Sequence, residues 1–189
     1  MTGRLTVALG KFISSRQHGF LRGRSTTTNL VEFVSSVIIQ MESGRQVDGL
    51  YLDFSKAFNC VNHRLLIEKL RDYGVPELAD RKLQVRVGHH LSVPFTATSS
   101  VPQGSHLGPV LFLVYIQDLS AALTIIEFSP YADDLKLSST VSSSVDYLRL
   151  QQSLNQVAAW GARNRNGLKL NADKCQVITF TSAAQRDVV

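Results

Sequence analysis

The sequence predicts an α+β domain, a sheet with helices packed on one side. Three observations lead there. Stretches with helical apolar periodicity alternate with short apolar runs of strand length. Two of those runs face each other across a polar turn, as hairpin strands do. A composition of 44% hydrophobic and 19% charged residues in a 189-residue chain supplies a real core and excludes a disordered tail.

Residues 1–24 read as irregular and basic. Ser25 caps a helix over 26–43, with Leu30, Phe33, Val34, Val37, Ile38 and Met41 on one face and Gly44 as its stop. Val47–Phe54 reads as a buried strand and Val61–Tyr73 as an amphipathic helix ended by Gly74. Leu83–Val87 and Leu91–Ser99 read as a strand pair around Gly88, and Gly108–Leu123 as a strongly apolar helix. Ile125–Phe128 and Leu135–Ser139 are short strands separated by the turn that carries Tyr131, Ala132, Asp133 and Asp134. Ser144–Asn164 is a long helix, and Gln176–Phe180 a closing strand. No internal repeat is present.

The net charge is +5. Arg4, Lys11, Arg16, Arg22 and Arg24 all precede the first acid, Glu32, and the basic and acidic residues that follow cancel. A basic front end suits phosphate contact, and equally a solvated arm. Cys60 and Cys175 form no CxxC pair and no metal-ligand spacing with the histidines, which fits free thiols in an intracellular protein. The longest unbroken apolar run, Val110–Ile116, is too short to cross a bilayer, so no membrane partner is expected.

Asp133 and Asp134 are the chemically informative residues. Adjacent carboxylates in a tight turn between apolar strands are costly unless a cation neutralises them. Asp53 ends another apolar strand. If the two strands are neighbours, Asp53 and Asp133 are placed to hold two Mg²⁺ ions roughly 3.5–4 Å apart, the arrangement a nucleotidyl transfer needs. Asp-Asp as a plain turn former is the alternative, and a bare pair would favour it.

The pair is not bare. Tyr131-Ala132-Asp133-Asp134 resembles the YADD box of reverse transcriptases. Asp53-Phe54-Ser55-Lys56-Ala57-Phe58 resembles the family's first catalytic box, and Val101-Pro102-Gln103-Gly104-Ser105 its Pro-Gln-Gly box. Gln17-His18-Gly19-Phe20, followed by Gly23-Arg24-Ser25-Thr26, is similar to the fingers segment of enzymes from non-LTR (LINE-type) retrotransposons. Leu170-Asn171 with Lys174-Cys175 resembles the late palm box. Five boxes in the family's order are a specific signal where one would be weak.

The resemblance implies a right-handed polymerase palm, a ferredoxin-like four-stranded sheet with helices on one face. It divides the chain into a partial fingers segment (1–46) and a palm (47–189), with the thumb absent. It implies RNA-directed DNA polymerase activity on an RNA template, a DNA primer and dNTPs, in cytoplasm and nucleus. Asp53, Asp133 and Asp134 become catalytic ligands of two Mg²⁺ ions, with Mn²⁺ as a substitute. Phe54, Phe58, Gln103, Gly104, Tyr131 and Lys174 become nucleotide-binding residues, Phe58 as the ring that collides with a 2′-hydroxyl. Plain core for Phe58 and a solvated side chain for Lys174 stay open beside these roles. Arg22 and Arg24 become nucleic-acid contacts, or remain an exposed arm. A third class, RNA-dependent RNA polymerases, usually carries Gly-Asp-Asp instead. Four departures from the family pattern stand out: Asn59 in place of an aspartate, Arg22 in place of a proline, a shortened stretch at 75–84, and a small insertion in the usual Arg-Asn-Gly turn at 162–167. They allow a second expectation, an inactive retrotransposon relic that at most binds nucleic acid.

Overall fold

In the computed structural model of the chain, the described residues are 9–75, 82–96, 98–101, 104–105, 107–123, 126–163 and 168–182. Gln103, most of the 75–84 stretch and residues 164–167 lie outside them.

Helix α1 spans Thr26–Glu42 and begins with a capping box. Ser25 Oγ accepts from the Thr28 backbone N–H at 3.1 Å, and Thr28 Oγ1 accepts from the Ser25 N–H at 2.8 Å. Gly44, at φ +70°, ends it by donating to the Met41 carbonyl. Strand β1 follows as Gln46–Asp53. A 3₁₀ turn, Ala57–Cys60, precedes α2 (His63–Asp72), which Asn62 caps through the Leu65 N–H. A small hairpin pairs β2 (Arg86–Val87) with β3 (His90–Leu91), extended by one bridge between Leu83 and Phe95. Helix α3 (Gly108–Ile116) is buried on all sides. It is separated from α4 (Leu119–Ala122) by Gln117 and Asp118, so the single helix expected over 108–123 is two. Strands β4 (Glu127–Tyr131) and β5 (Asp134–Val141) form the central hairpin, α5 runs Ser144–Arg163, and β6 is Gln176–Phe180.

The four-stranded sheet has the order β4-β5-β1-β6, antiparallel throughout. Adding α2–α3 between β1 and β4, and α5 between β5 and β6, gives the β-α-β-β-α-β path of a split β-α-β sheet. Alternation along β1 and β5 sends Leu50, Leu52, Leu135 and Leu137 to one face. There they join Phe112, Tyr115, Val157 and Trp160 of α3 and α5 in the main core. The other face carries Val47 and Tyr51, which pack with Phe33 and Val37 of α1 and with Phe180. Helices therefore cover both faces, correcting the expectation of a single covered face. The reason is legible in α1 itself, whose Phe33–Val37 edge finds apolar partners only on the odd-numbered side of β1.

Val85, Val87, Leu91 and Val93 of the small hairpin are exposed. No helix among the described residues is long and apolar enough to cross a membrane.

Candidate nucleotidyl-transfer site

Strand pairing places Asp53, the last residue of β1, opposite Asp134, the first residue of β5. Asp133 occupies the adjoining β4–β5 turn, so the three expected carboxylates meet at one end of the sheet. Facing pairs in an antiparallel ladder share a side. Asp53 and Asp134 therefore project to the α1 side, with Tyr131, the other cross-strand partner of Asp134. A cleft of about 340 Å³ opens there, bounded by Thr26, Asn29, Asp53, Tyr131, Lys136 and Lys174 among others. A larger cleft of about 550 Å³ lies beyond Glu127 against Arg16 and Arg45, but it contains no second carboxylate.

The electrostatics match a cation-seeking site. Burial first, and then the like charges of Asp134 and Asp53, push the Asp133 carboxyl above the usual aspartate range, opposed by a backbone N–H and by Lys174. Asp134 is raised by desolvation and by Asp53, against Lys136 and Lys174. Lys174 Nζ lies 3.4 Å from Asp53 Oδ2, a contact in which the lysine stays largely exposed. Desolvation lowers Lys136 from its ordinary value, and Asp134 raises it. Replacing Lys136 with Met is therefore expected to push the Asp134 pKa further up, read by NMR titration of its carboxyl carbon. An unchanged or lower value would show that the lysine does not act on that carboxylate.

Among the described residues no group of three acidic, histidine or cysteine side chains stands close enough together to hold a metal ion. Mg²⁺ does not require such a group: it keeps several waters and takes one or two carboxylates together with substrate phosphates. The donor set, hard carboxylate oxygens beside a cleft with Asp133 and Asp134 both raised in part by the charge of Asp53, fits that ion.

The turn is held by residues far away in sequence. Ala132 sits at φ +55°, a left-handed conformation that costs a non-glycine residue about 1–3 kcal/mol and persists only where its surroundings over-determine it. Gln17 Oε1 accepts from the Ala132 N–H at 3.0 Å and from the Gly19 N–H at 2.7 Å. His18 N–H donates to the Pro130 carbonyl at 3.2 Å. A Cβ on Gly19 would stand 2.5 Å from the Ala132 nitrogen, so only glycine allows the approach. Asn29, 1% exposed, donates to Ser129 Oγ at 2.7 Å and accepts from Lys136 Nζ, which also lies over the Phe33 ring. The His18 ring bridges Thr28 and Glu32 of α1. On the other flank, Asp53 accepts through its backbone carbonyl from the Asn171 N–H at 2.8 Å, and Ser55 N–H donates to the Lys169 carbonyl at 2.8 Å.

The remaining expected residues divide. Tyr131 and Lys174 line the cleft. Phe58 is half-buried against the main core, stacked on Phe112 at 4.2 Å between ring centres and edge-on to Phe20. Phe54 requires correction: at 3% exposure it packs against Trp160 on the core face, so its side chain cannot reach a nucleotide in the cleft. Gly104, at φ +77°, is exposed, and a methyl group added to it would meet no atom within 4 Å. Arg22 and Arg24 lie on the turn leading into α1, two to four residues before cleft-lining Thr26. Sequence reasoning passed over Asn29 and Lys136. Their signal was a polar residue on the apolar edge of a helix and a lysine two residues beyond Asp134, on the same side of its strand.

A family model described as reverse transcriptase (RNA-dependent DNA polymerase) matches residues 1–187. The chain is 30% identical over 187 residues to a probable RNA-directed DNA polymerase from transposon BS of Drosophila melanogaster, covering 90% of this chain and 20% of that protein. It is likewise 30% identical to the RNA-directed DNA polymerase from mobile element jockey of the same fly, covering 94% of this chain and 20% of that one. The chain thus spans about a fifth of the length of these relatives. Among solved structures, apo telomerase from Candida tropicalis, truncated from its C-terminal domain, superposes with a TM-score of 0.64 at 10% identity, covering 97% of this chain and 41% of that one. Telomerase from Candida albicans in complex with a fragment of telomeric RNA gives 0.60 at 13% identity, covering 96% and 34%. At such identities the likeness is one of fold.

Proposed function

Because the chain belongs to the reverse transcriptase (RNA-dependent DNA polymerase) family, as a domain of the non-LTR retrotransposon kind, we propose that it is the palm of an RNA-directed DNA polymerase with part of its fingers. The observation that carries this reading is Asp53 facing Asp134 across paired strands in one cleft, with Asp133 in the adjoining turn and within reach of both charges. In this reading RNA is the template, a DNA primer supplies the 3′-hydroxyl and dNTPs are consumed inside the cell.

Asp53, Asp133 and Asp134 would hold Mg²⁺, or Mn²⁺ in its place, which when bound activates the attacking hydroxyl and steadies the leaving pyrophosphate. The protein's own part is positional. The Tyr131 side chain stands beside the carboxylates where a primer end would lie. Phe58, wedged between Phe112 and Phe20, presents a fixed ring edge for excluding a 2′-hydroxyl. Lys174, which lies near Asp53 and is otherwise exposed, would give a proton to pyrophosphate. Arg22 and Arg24 provide phosphate contacts before α1.

The test is primer extension on a poly-rA template with Mg²⁺ or Mn²⁺. The chain is assayed alone and spliced into the corresponding region of a longer relative such as the jockey polymerase. Positioning errors of about 1 Å cost roughly 10²-fold in rate, so the chain alone is expected to give no detectable product and only salt-sensitive nucleic-acid binding. The chimera is expected to extend the primer. An inactive chimera beside an active parent would replace this reading with that of a relic, with Asn59 and the 75–84 stretch as first suspects.

A further inference from the structure

One buried side chain ties the acidic turn to the segment before α1. Gln17 is 3% exposed, and its amide oxygen receives two backbone N–H groups, from Gly19 beside it and from Ala132 across 115 positions of sequence. Its own segment is fixed independently: Gln17 N–H donates to the Ser14 carbonyl, and Ser14 N–H donates to Gln117 Oε1 at 2.8 Å. The His18 N–H to Pro130 carbonyl bond runs parallel to the Gln17 contact, so residues 17–19 lie along the end of β4 as a short splint. Glycine at position 19 lets the splint come within van der Waals contact of Ala132.

We propose that Gln17 is the positioning residue of the acidic turn, holding Ala132 in its left-handed conformation so that Asp133 and Asp134 are directed toward Asp53. This deepens the polymerase reading and rests on it for its consequence, though not for its geometry. Ala132 immediately precedes the two carboxylates, and a change in its φ rotates the peptide from which Asp133 departs. Without an acceptor at position 17, the Ala132 and Gly19 N–H groups are buried without a partner. The turn then relieves that cost by moving toward solvent.

The test uses the 189-residue chain. Gln17→Met keeps the length and removes the acceptor. Gln17→Glu keeps an oxygen facing two N–H donors, a setting that stabilises a carboxylate. Amide exchange followed by NMR is expected to be about tenfold faster at Ala132 and Gly19 in Gln17→Met, with Leu50, Leu52 and Leu137 in the sheet unchanged. Gln17→Glu is expected to keep the parental protection. Mn²⁺ affinity, read by paramagnetic broadening, is expected to weaken several-fold in Gln17→Met only. Unchanged exchange at Ala132 would overturn the proposal. So would an equal rise through the whole sheet, which is the mark of a merely structural residue, or loss of protection in Gln17→Glu. Faster exchange at Ala132 with unaltered Mn²⁺ affinity would overturn it as well. If the parent chain binds no Mn²⁺ at all, the polymerase reading fails while exchange at Ala132 still decides whether Gln17 fixes the turn.

Discussion

Asp133→Asn is expected to lower primer extension by the chimera about 10³-fold, the equivalent of roughly 4 kcal/mol of transition-state stabilisation, and at the same time to raise the melting temperature of the metal-free chain. Both effects follow from one cause. Burial, with the neighbouring charges of Asp134 and Asp53, raises the Asp133 pKa above its ordinary 3.8. The folded chain therefore binds that proton more tightly than the unfolded chain does. Between the unfolded value and the raised folded value its stability falls as pH rises, and above that window it stays at the lower level. At neutral pH the fold carries the penalty of an ionised carboxylate that Lys174 and a backbone hydrogen bond offset only in part. Asparagine removes the charge and the penalty, and with it the ligand. Mg²⁺ is expected to stabilise the parent, by about 1.4 kcal/mol at tenfold excess over its dissociation constant, and to leave the variant unmoved. Thermal melts from pH 4 to 8, with and without Mg²⁺, measure both. A variant that melts below the parent at neutral pH would show that the carboxylate is a structural group.

The same tension explains how much of the molecule could be read from its sequence. Local signals with a local cause held well. Helix α1 begins and ends within a residue of expectation because Ser25, Thr28 and Gly44 settle its ends among themselves. Strand β6 falls on Gln176–Phe180 as read. The acidic turn stands where Tyr131 to Asp134 indicated. Strand β5 extends past its expected end at Ser139 to Val141, because Thr140 and Val141 pair with Val47 and Gln46 of β1 beyond the point where the apolar run gives way to serines. The 3₁₀ turn at Ala57–Cys60 was invisible for a similar reason: it follows from the left-handed Lys56, at φ +50°, and no composition cue marks it. The site was legible in its carboxylates and illegible in its supports. Gln17 could be assigned to a familiar segment, but its bond to Ala132 spans 115 positions and has no periodicity to reveal it. Phe54 came from the resemblance alone, and strand alternation turns its side chain to the face opposite Asp53.

Gly161→Ala is expected to destabilise the chain by about 2 kcal/mol and to disturb the site from a distance. A Cβ at position 161 of α5 would stand 2.1 Å from the carbonyl oxygen of Leu168, a backbone atom on a residue that is itself buried. Overpacking of this kind costs roughly 1–3 kcal/mol, and more where backbone must move, while the gain in helix propensity returns only about 1 kcal/mol. For a chain of this size 2 kcal/mol corresponds to a fall in Tm of roughly 4–8 °C. The displaced segment is the one that fixes Asp53. Lys169 accepts from the Ser55 N–H, Leu170 bridges Phe54, Asn171 donates to the Asp53 carbonyl, and Lys174 lies beside the Asp53 carboxylate. Pushing Leu168 away from α5 therefore loosens the end of β1, and amide exchange at Ser55 and Asn171 should rise with the fall in Tm. Ala159→Gly, exposed two residues earlier on the same helix, provides the control: it loses about 1 kcal/mol of propensity and should leave exchange at Ser55 and Asn171 unchanged. A Gly161→Ala chain that melts higher than the parent, by the propensity gain alone, would mean that α5 yields to the methyl group freely and that Gly161 plays no part in seating Asp53.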